Sequence, residues 1–139
     1  MMKILITGSS GFVGRNLNKS LKEDYTIVTK SFRYKKGQKI EINQDVIVHL
    51  SGKAHDFKKS SNSNPYLEAN FELTKQLYSA FLKSNASKFL FFSSVKAVAD
   101  SIKGKLDSSK VPSPKTHYGI SKRNYNRPTT GCCGFQRIC

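Results

Sequence analysis

The stretch ITGSSGFVGRNL, residues 6–17, decides how the chain is read. Glycines stand at positions 8, 11 and 14. Before them runs MKILIT (2–7), short, apolar and β-branched, the pattern of a buried strand. After them come Val13, Leu17 and Leu21 at steps of four, one face of a helix. Three residues without side chains therefore occupy the place where a strand turns into a helix.

In that position the glycines have separate jobs. Gly8 permits the tight turn, Gly11 lets backbone approach a diphosphate, and Gly14 lets the helix pack closely on the strand. The helix start then offers free N–H groups and a partial positive charge to phosphate oxygens. The spacing here is G-x-x-G-x-x-G. About 20 residues beyond such a loop, an acidic residue usually meets the adenosine ribose of a bound dinucleotide. The corresponding stretch, TKSFRYKK (29–36), has no acid. Lys30 and Arg33 are placed to meet a 2′-phosphate, which favours NADP; surface charge with the ribose held by backbone is the alternative, so NAD and NADP both stay open.

Outward from the loop, strands alternate with helices. YTIVTK (25–30) reads as a second strand, KIEI (39–42) as a weak one and DVIVHLS (45–51) as a buried one. Residues 65–83 form a helix with Leu67, Phe71, Thr74, Tyr78 and Phe81 on one stripe, and Pro65 suits its start. KFLFFSS (88–94) is a further strand running into serines. This order predicts an α/β fold: a doubly wound parallel sheet with helices on both faces and right-handed crossovers.

Composition agrees. The 139 residues are 37% hydrophobic and 24% charged, which suits one globular domain with a real core. No apolar stretch approaches the ~18 residues of a membrane span, and MMKILITG has no signal-peptide pattern, so no membrane association and a cytoplasmic setting are expected. The net charge of +15 is read as lysines solvated on the surface, since aromatic–basic RNA-binding patterns and zinc-finger spacing are absent; no specific nucleic-acid partner is expected. Cys132, Cys133 and Cys139 form neither a disulfide framework nor a metal site.

A second constellation is YGISK, with Tyr118 and Lys122 four apart on one helix face. An ammonium beside a phenol favours the phenolate, and a tyrosine tuned in this way exchanges protons with an alcohol near neutral pH. Ser93 and Ser94 end the preceding strand, where such sheets open their ligand crevice.

TGSSGFVG, VIVHLSGKAHD, EANFELT, FFSSVKAV and YGISK, in that order, resemble the extended short-chain dehydrogenase/reductase family, in its NAD-dependent epimerase/dehydratase branch. The resemblance covers residues 2 to about 122. It implies a Rossmann-type domain over 1–122, NAD or NADP as cofactor, and a nucleotide sugar as substrate, as in UDP-galactose 4-epimerase and related bacterial polysaccharide enzymes. It implies that Gly8, Gly11, Phe12, Val13 and Gly14 line the pyrophosphate. Leu50, Ser51 and Gly52 approach the cofactor, Lys53 reaches a ribose or phosphate, and Asn70, counted among the cofactor-binding residues, braces the sheet and the active-site backbone. Ser94 orients the substrate oxygen, with Ser93 as the alternative. Tyr118 is the acid/base, and Lys122 holds the nicotinamide ribose and lowers the tyrosine pKa. His49, inside a strand, is read as structural, and His55 as a loop residue. Members often dimerise through helices that include the tyrosine segment.

Two departures accompany the resemblance. The third strand and its helix are compressed into about 39–44. The text after Lys122, RNYNRPTTGCCGFQRIC, shows neither stripe nor alternation. The reading expects 123–139 to be an aberrant or disordered tail outside the ancestral reading frame, with the substrate domain absent. A cofactor-binding chain without turnover is therefore the second functional expectation.

Overall fold

A computed structural model describes residues 1–54, 62–101, 103–107, 109–123 and 135–138. Among these residues five strands form one parallel sheet: β1 (Lys3–Thr7), β2 (Thr26–Lys30), β3 (Val46–His49), β4 (Lys88–Phe92) and β5 (Phe135–Ile138), in the order β2-β1-β3-β4-β5. The chain runs from β1 outward to β2, then returns across β1 to β3. The switch in direction opens a crevice at the carboxyl ends of β1 and β3, where such sheets bind ligands. The glycine loop leaves β1 at this point.

Both faces of the sheet are covered, and the period of two sorts the side chains between them. Ile4, Ile6, Val46 and Val48 face helix α1 (Phe12–Leu21), meeting Leu17 and Leu21. Leu5, Ile47, Phe89 and Phe91 face the other side, against Leu73, Leu77, Tyr78 and Phe81. Those four lie on a helical rod built in three parts: α2 (Asn64–Leu67), a π-helical turn (Glu68–Glu72) and α3 (Leu73–Leu82). A short helix, α4 (His117–Arg123), carries the YGISK motif.

Several local expectations change. In α1 the buried residue of the first turn is Gly14, while Val13 is half exposed, because the helix presses its glycine against the preceding loop. In the long rod the stripe holds from Thr74 onward, but Leu67 and Phe71 give way to Tyr66 and Asn70 as the buried positions. The π turn inserts extra residues per turn and rotates the earlier face. KIEI forms no strand, yet Ile42 is buried and Ile40 packs on the core. No element was expected within 123–139, but Phe135–Ile138 pairs with β4 in parallel, Phe89 opposite Phe135. The free edge of β4 offers main-chain hydrogen bonds to an extended segment whatever its side-chain pattern. His55 and the three cysteines lie outside the described residues. Among the described residues no helix is long and apolar enough to cross a membrane.

Candidate active site

The turn after β1 is shaped by two close approaches. Gly8 has φ +72°, and a Cβ there would stand 2.7 Å from the Ser51 nitrogen, so β3's exit passes directly over it. At Gly14 a Cβ would stand 2.3 Å from the Gly8 carbonyl oxygen. Gly11 differs: its Cβ would meet only the Gly8 oxygen, at 3.4 Å, an ordinary contact. Gly11 caps α1 without a side-chain hydrogen bond, and the first turn of α1 holds no acid. The N–H groups of Phe12, Val13 and Gly14 are the helix's unmatched donors. The Phe12 side chain is 77% exposed, so only its backbone serves the loop.

Two clefts open along the carboxyl rim of the sheet. One, of about 740 Å³, is lined by Gly8, Ser9, Ser51, Gly52 and Lys53, together with Lys30 and Arg33 from the end of β2. The other, of about 680 Å³, is lined by Ser94, Tyr118, Lys96, Tyr66 and His117. Thus the glycine loop shares a cleft with Ser51, Gly52 and Lys53, and Ser94 shares one with Tyr118. Leu50 does not join them: its side chain packs against the core on the α1 face. Ser94 stands in extended backbone, starts a 3₁₀ turn (Val95–Ala97), and accepts from the Lys96 N–H at 3.2 Å, which leaves its own O–H to donate.

Lys122 is 5% exposed. Its ammonium donates to the Phe92 carbonyl at 3.3 Å and lies 4.8 Å from the centre of the Phe91 ring. It reaches the loop after β3, since a Cβ on Gly52 would stand 3.3 Å from its Nζ. Burial pushes its pKa down to about 8. The unfolded chain therefore binds the proton more tightly, and stability is expected to climb between about pH 8 and 10.5 as this buried charge is released. Lys122→Met is expected to raise thermal stability near neutral pH by about 1 kcal/mol and to abolish that climb. Melting curves of both proteins across this pH range check it; a Met variant less stable at every pH would contradict it.

Asn70 is fully buried, and its amide oxygen lies so close under Gly52 that a Cβ there would stand 2.8 Å from it. Its amide oxygen accepts from the Lys53 N–H at 2.8 Å, and its NH₂ donates to the Lys53 carbonyl and to Ser121 Oγ, each at 2.9 Å. Ser121 in turn donates to the Tyr118 carbonyl at 2.8 Å. One side chain thus ties the loop after β3 to the helix carrying Tyr118 and Lys122. The start of α4 is tied down again by Thr116, whose hydroxyl accepts from the Gly119 N–H and donates to Asp100. The Thr116 hydroxyl, then the Lys115 N–H, hold the Asp100 carboxyl below the usual carboxylate range.

A buried polar chain that motif reading missed runs behind both clefts. The Ser51 N–H points at Thr7 Oγ1 (3.3 Å), Thr7 Oγ1 meets His49 Nδ1 (2.7 Å), and His49 Nε2 meets Thr74 Oγ1 (2.9 Å). Thr74 gives its single proton to the Asn70 carbonyl at 2.9 Å. It must therefore accept from His49, which assigns the proton to Nε2 and makes Nδ1 the acceptor of the Thr7 hydroxyl. Desolvation, then the Lys122 charge, holds the His49 pKa down to about 3. The ring is neutral in the fold but protonates below about pH 6.5 once unfolded. Stability is thus expected to fall as pH drops from 6.5 towards 3, by up to about 1.4 kcal/mol per pH unit. Urea midpoints at about pH 7 and about pH 5 measure this, and His49→Gln is expected to flatten the slope; an equally steep variant would sink the assignment.

A parallel sheet switching direction beside a glycine loop, with a serine and a tyrosine opening on the same rim, defines a Rossmann-type domain with two clefts along its carboxyl rim. The sequence profile of the NAD dependent epimerase/dehydratase family matches residues 4–131, and the chain belongs to that family. A UDP-glucose 4-epimerase of Vibrio cholerae is 31% identical over 142 residues, covering 86% of this chain and 43% of that protein. Among solved structures, the UDP-glucuronic acid 4-epimerase of Bacillus cereus in complex with NAD superposes with a TM-score of 0.74 at 22% identity, over 90% of this chain and 50% of the other. RMD of Pseudomonas aeruginosa, complexed with NADPH, gives 0.68 at 21% identity, over 88% and 46%. The chain spans about half the length of these relatives.

Proposed function

We propose that this chain carries the cofactor-binding and proton-transfer part of an NAD(P)-dependent nucleotide-sugar epimerase or dehydratase. The observation that carries the reading is the pairing of the two clefts on one rim, the glycine loop in one and Ser94 with Tyr118 in the other. When bound, the nicotinamide supplies the hydride acceptor. The N–H groups at the start of α1 bind the diphosphate, helped by the helix dipole. Ser94 donates its O–H to the reacting sugar oxygen, and Tyr118 takes the hydroxyl proton. Lys122, charged and almost dry, holds the ribose. The relatives' names, UDP-glucose and UDP-glucuronic acid 4-epimerase, support a UDP-sugar as substrate. The setting this chemistry implies is the cytoplasm.

A second reading, cofactor binding without turnover, is favoured by Lys122 lining neither of the two clefts. Incubation with NAD or NADP and UDP-sugars, followed by chromatography of the sugar and absorbance of reduced nicotinamide, separates the two. Tyr118→Phe is expected to lower turnover by about 10²- to 10⁴-fold while leaving cofactor affinity within about twofold. Unchanged turnover in that variant would remove Tyr118 from the chemistry; bound cofactor with no turnover in the parent would select the second reading.

A further inference from the structure

Ser94 and Tyr118 share a cleft but belong to different elements: Ser94 starts the 3₁₀ turn Val95–Ala97, and Tyr118 is the second residue of α4. One carboxylate joins the two elements. Asp100, just past the turn, accepts from the Lys115 N–H at 2.5 Å, the Thr116 N–H at 3.1 Å and the Thr116 hydroxyl at 2.5 Å. The Ser113 N–H donates to the Val98 carbonyl at 2.7 Å and closes the same neck of chain. Thr116 passes the hold into α4, because its hydroxyl also accepts from the Gly119 N–H at 3.1 Å.

The surfaces this clasp draws together have no slack. Gly119 is buried, and a Cβ on it would stand 2.5 Å from the Lys96 carbonyl oxygen and 2.8 Å from the Pro114 Cβ. The backbone beside Tyr118 thus rests on the turn that Ser94 starts. That contact limits how near α4 can come to the turn, but not how far it can move away. Asp100 supplies the second limit. Its three donors belong to two adjacent residues, so once one bond forms the others need little further ordering. The negative charge strengthens each of them. Asn70, through Ser121, grips α4 on the other side of Tyr118. Asp100 itself lines neither cleft. We infer that Asp100 is a positioning residue, which through Thr116 fixes the distance between the Tyr118 ring and the Ser94 hydroxyl; its bearing on catalysis rests on that cleft being the place of proton transfer. Where two groups must reach one sugar oxygen, a displacement of about 1 Å costs about 100-fold in rate.

Fluorine NMR of the full chain labelled with 3-fluorotyrosine, with Tyr118 assigned through Tyr118→Phe, tests the placement without needing turnover. Asp100→Ala is expected to shift or broaden the Tyr118 signal and to leave that of Tyr25, packed on the α1 face, in place. Asp100→Asn keeps an oxygen for the two N–H groups and an NH₂ for the Thr116 hydroxyl, and is expected to restore the parent signal. Thr116→Val breaks the clasp from its other side; it is expected to move the Tyr118 signal the same way and to add little to Asp100→Ala. In turnover of a UDP-sugar, Asp100→Ala is expected to lower kcat about 100-fold with KM within about threefold, and Asp100→Asn to recover most of the loss. A Tyr118 signal unmoved by both Asp100→Ala and Thr116→Val, or turnover lost equally in Asp100→Ala and Asp100→Asn, overturns the inference. A parent chain that binds cofactor without turnover overturns the catalytic reading of the cleft instead, and the fluorine signal then decides alone whether Asp100 sets the place of the ring.

Discussion

Gly14→Ala is expected to cost about 3 kcal/mol and lower the melting temperature by about 10 °C, although alanine is the best helix former. The added methyl would stand 2.3 Å from the Gly8 carbonyl oxygen and 2.6 Å from the Ser9 Cα. Both are backbone atoms of a turn already held by the Gly11 N–H donating to the same Gly8 oxygen at 3.1 Å. Neither can rotate away, so α1 must lift from the loop. Lifting α1 moves its first N–H groups away from the glycine loop, so dinucleotide affinity is expected to fall at least about tenfold as well. Gly11→Ala separates the two effects, because its methyl meets protein only at 3.4 Å. That variant should melt within a few degrees of the parent yet bind dinucleotide poorly. Thermal melts and titrations of the pair test this directly, and a Gly14→Ala protein as stable as the parent would contradict the packing described.

Asn70→Leu is the second large effect. Leucine keeps asparagine's branched outline, with two bulkier methyls in place of the amide oxygen and nitrogen, but can make none of its three hydrogen bonds. The Lys53 N–H and carbonyl lose their partner, and Ser121 loses a donor in a fully buried site. Unmatched buried groups cost about 1–3 kcal/mol each, reduced at Lys53 because its surroundings are partly open to water. The sum is about 3 kcal/mol. The loss is also directional: the loop at Lys53 and helix α4 are no longer joined, so the first cleft and the Tyr118 cleft should become independent. Hydrogen exchange is expected to quicken at Lys53 and across α4 more than in β1 or β3. Uniform acceleration across the sheet would show global weakening instead and would count against the bracing role.

Much of the frame was legible because it rests on local patterns. β1, β3 and β4 announce themselves as short apolar runs, and the glycine spacing points to the turn at the switch in the sheet. What was not legible comes from segments far apart in the chain. The contacts of His49 with Thr7 and Thr74 span 42 and 25 residues, so no motif contains all three. An Asn70–Thr74 step of four was the one available hint. The π turn escaped because helical periodicity assumes a constant repeat, and it moved the buried face from Leu67 and Phe71 to Tyr66 and Asn70. Val13 was misplaced because the buried first-turn position belongs to a glycine, which hydrophobic patterning ignores. Strand β5 escaped because edge pairing uses main chain. Among the site residues, Leu50 turned towards the core, and Asn70 braces backbone, at the Lys53 N–H and carbonyl.

The central claim is that backbone amides at the first turn of α1 hold a dinucleotide's diphosphate. The most direct measurement follows amide resonances of ¹⁵N-labelled protein while NADPH, and separately ADP, is added. The account predicts saturable shifts concentrated at Gly11, Phe12, Val13 and Gly14 with both ligands. Shifts that leave those four amides still while moving surface lysines at large would contradict it.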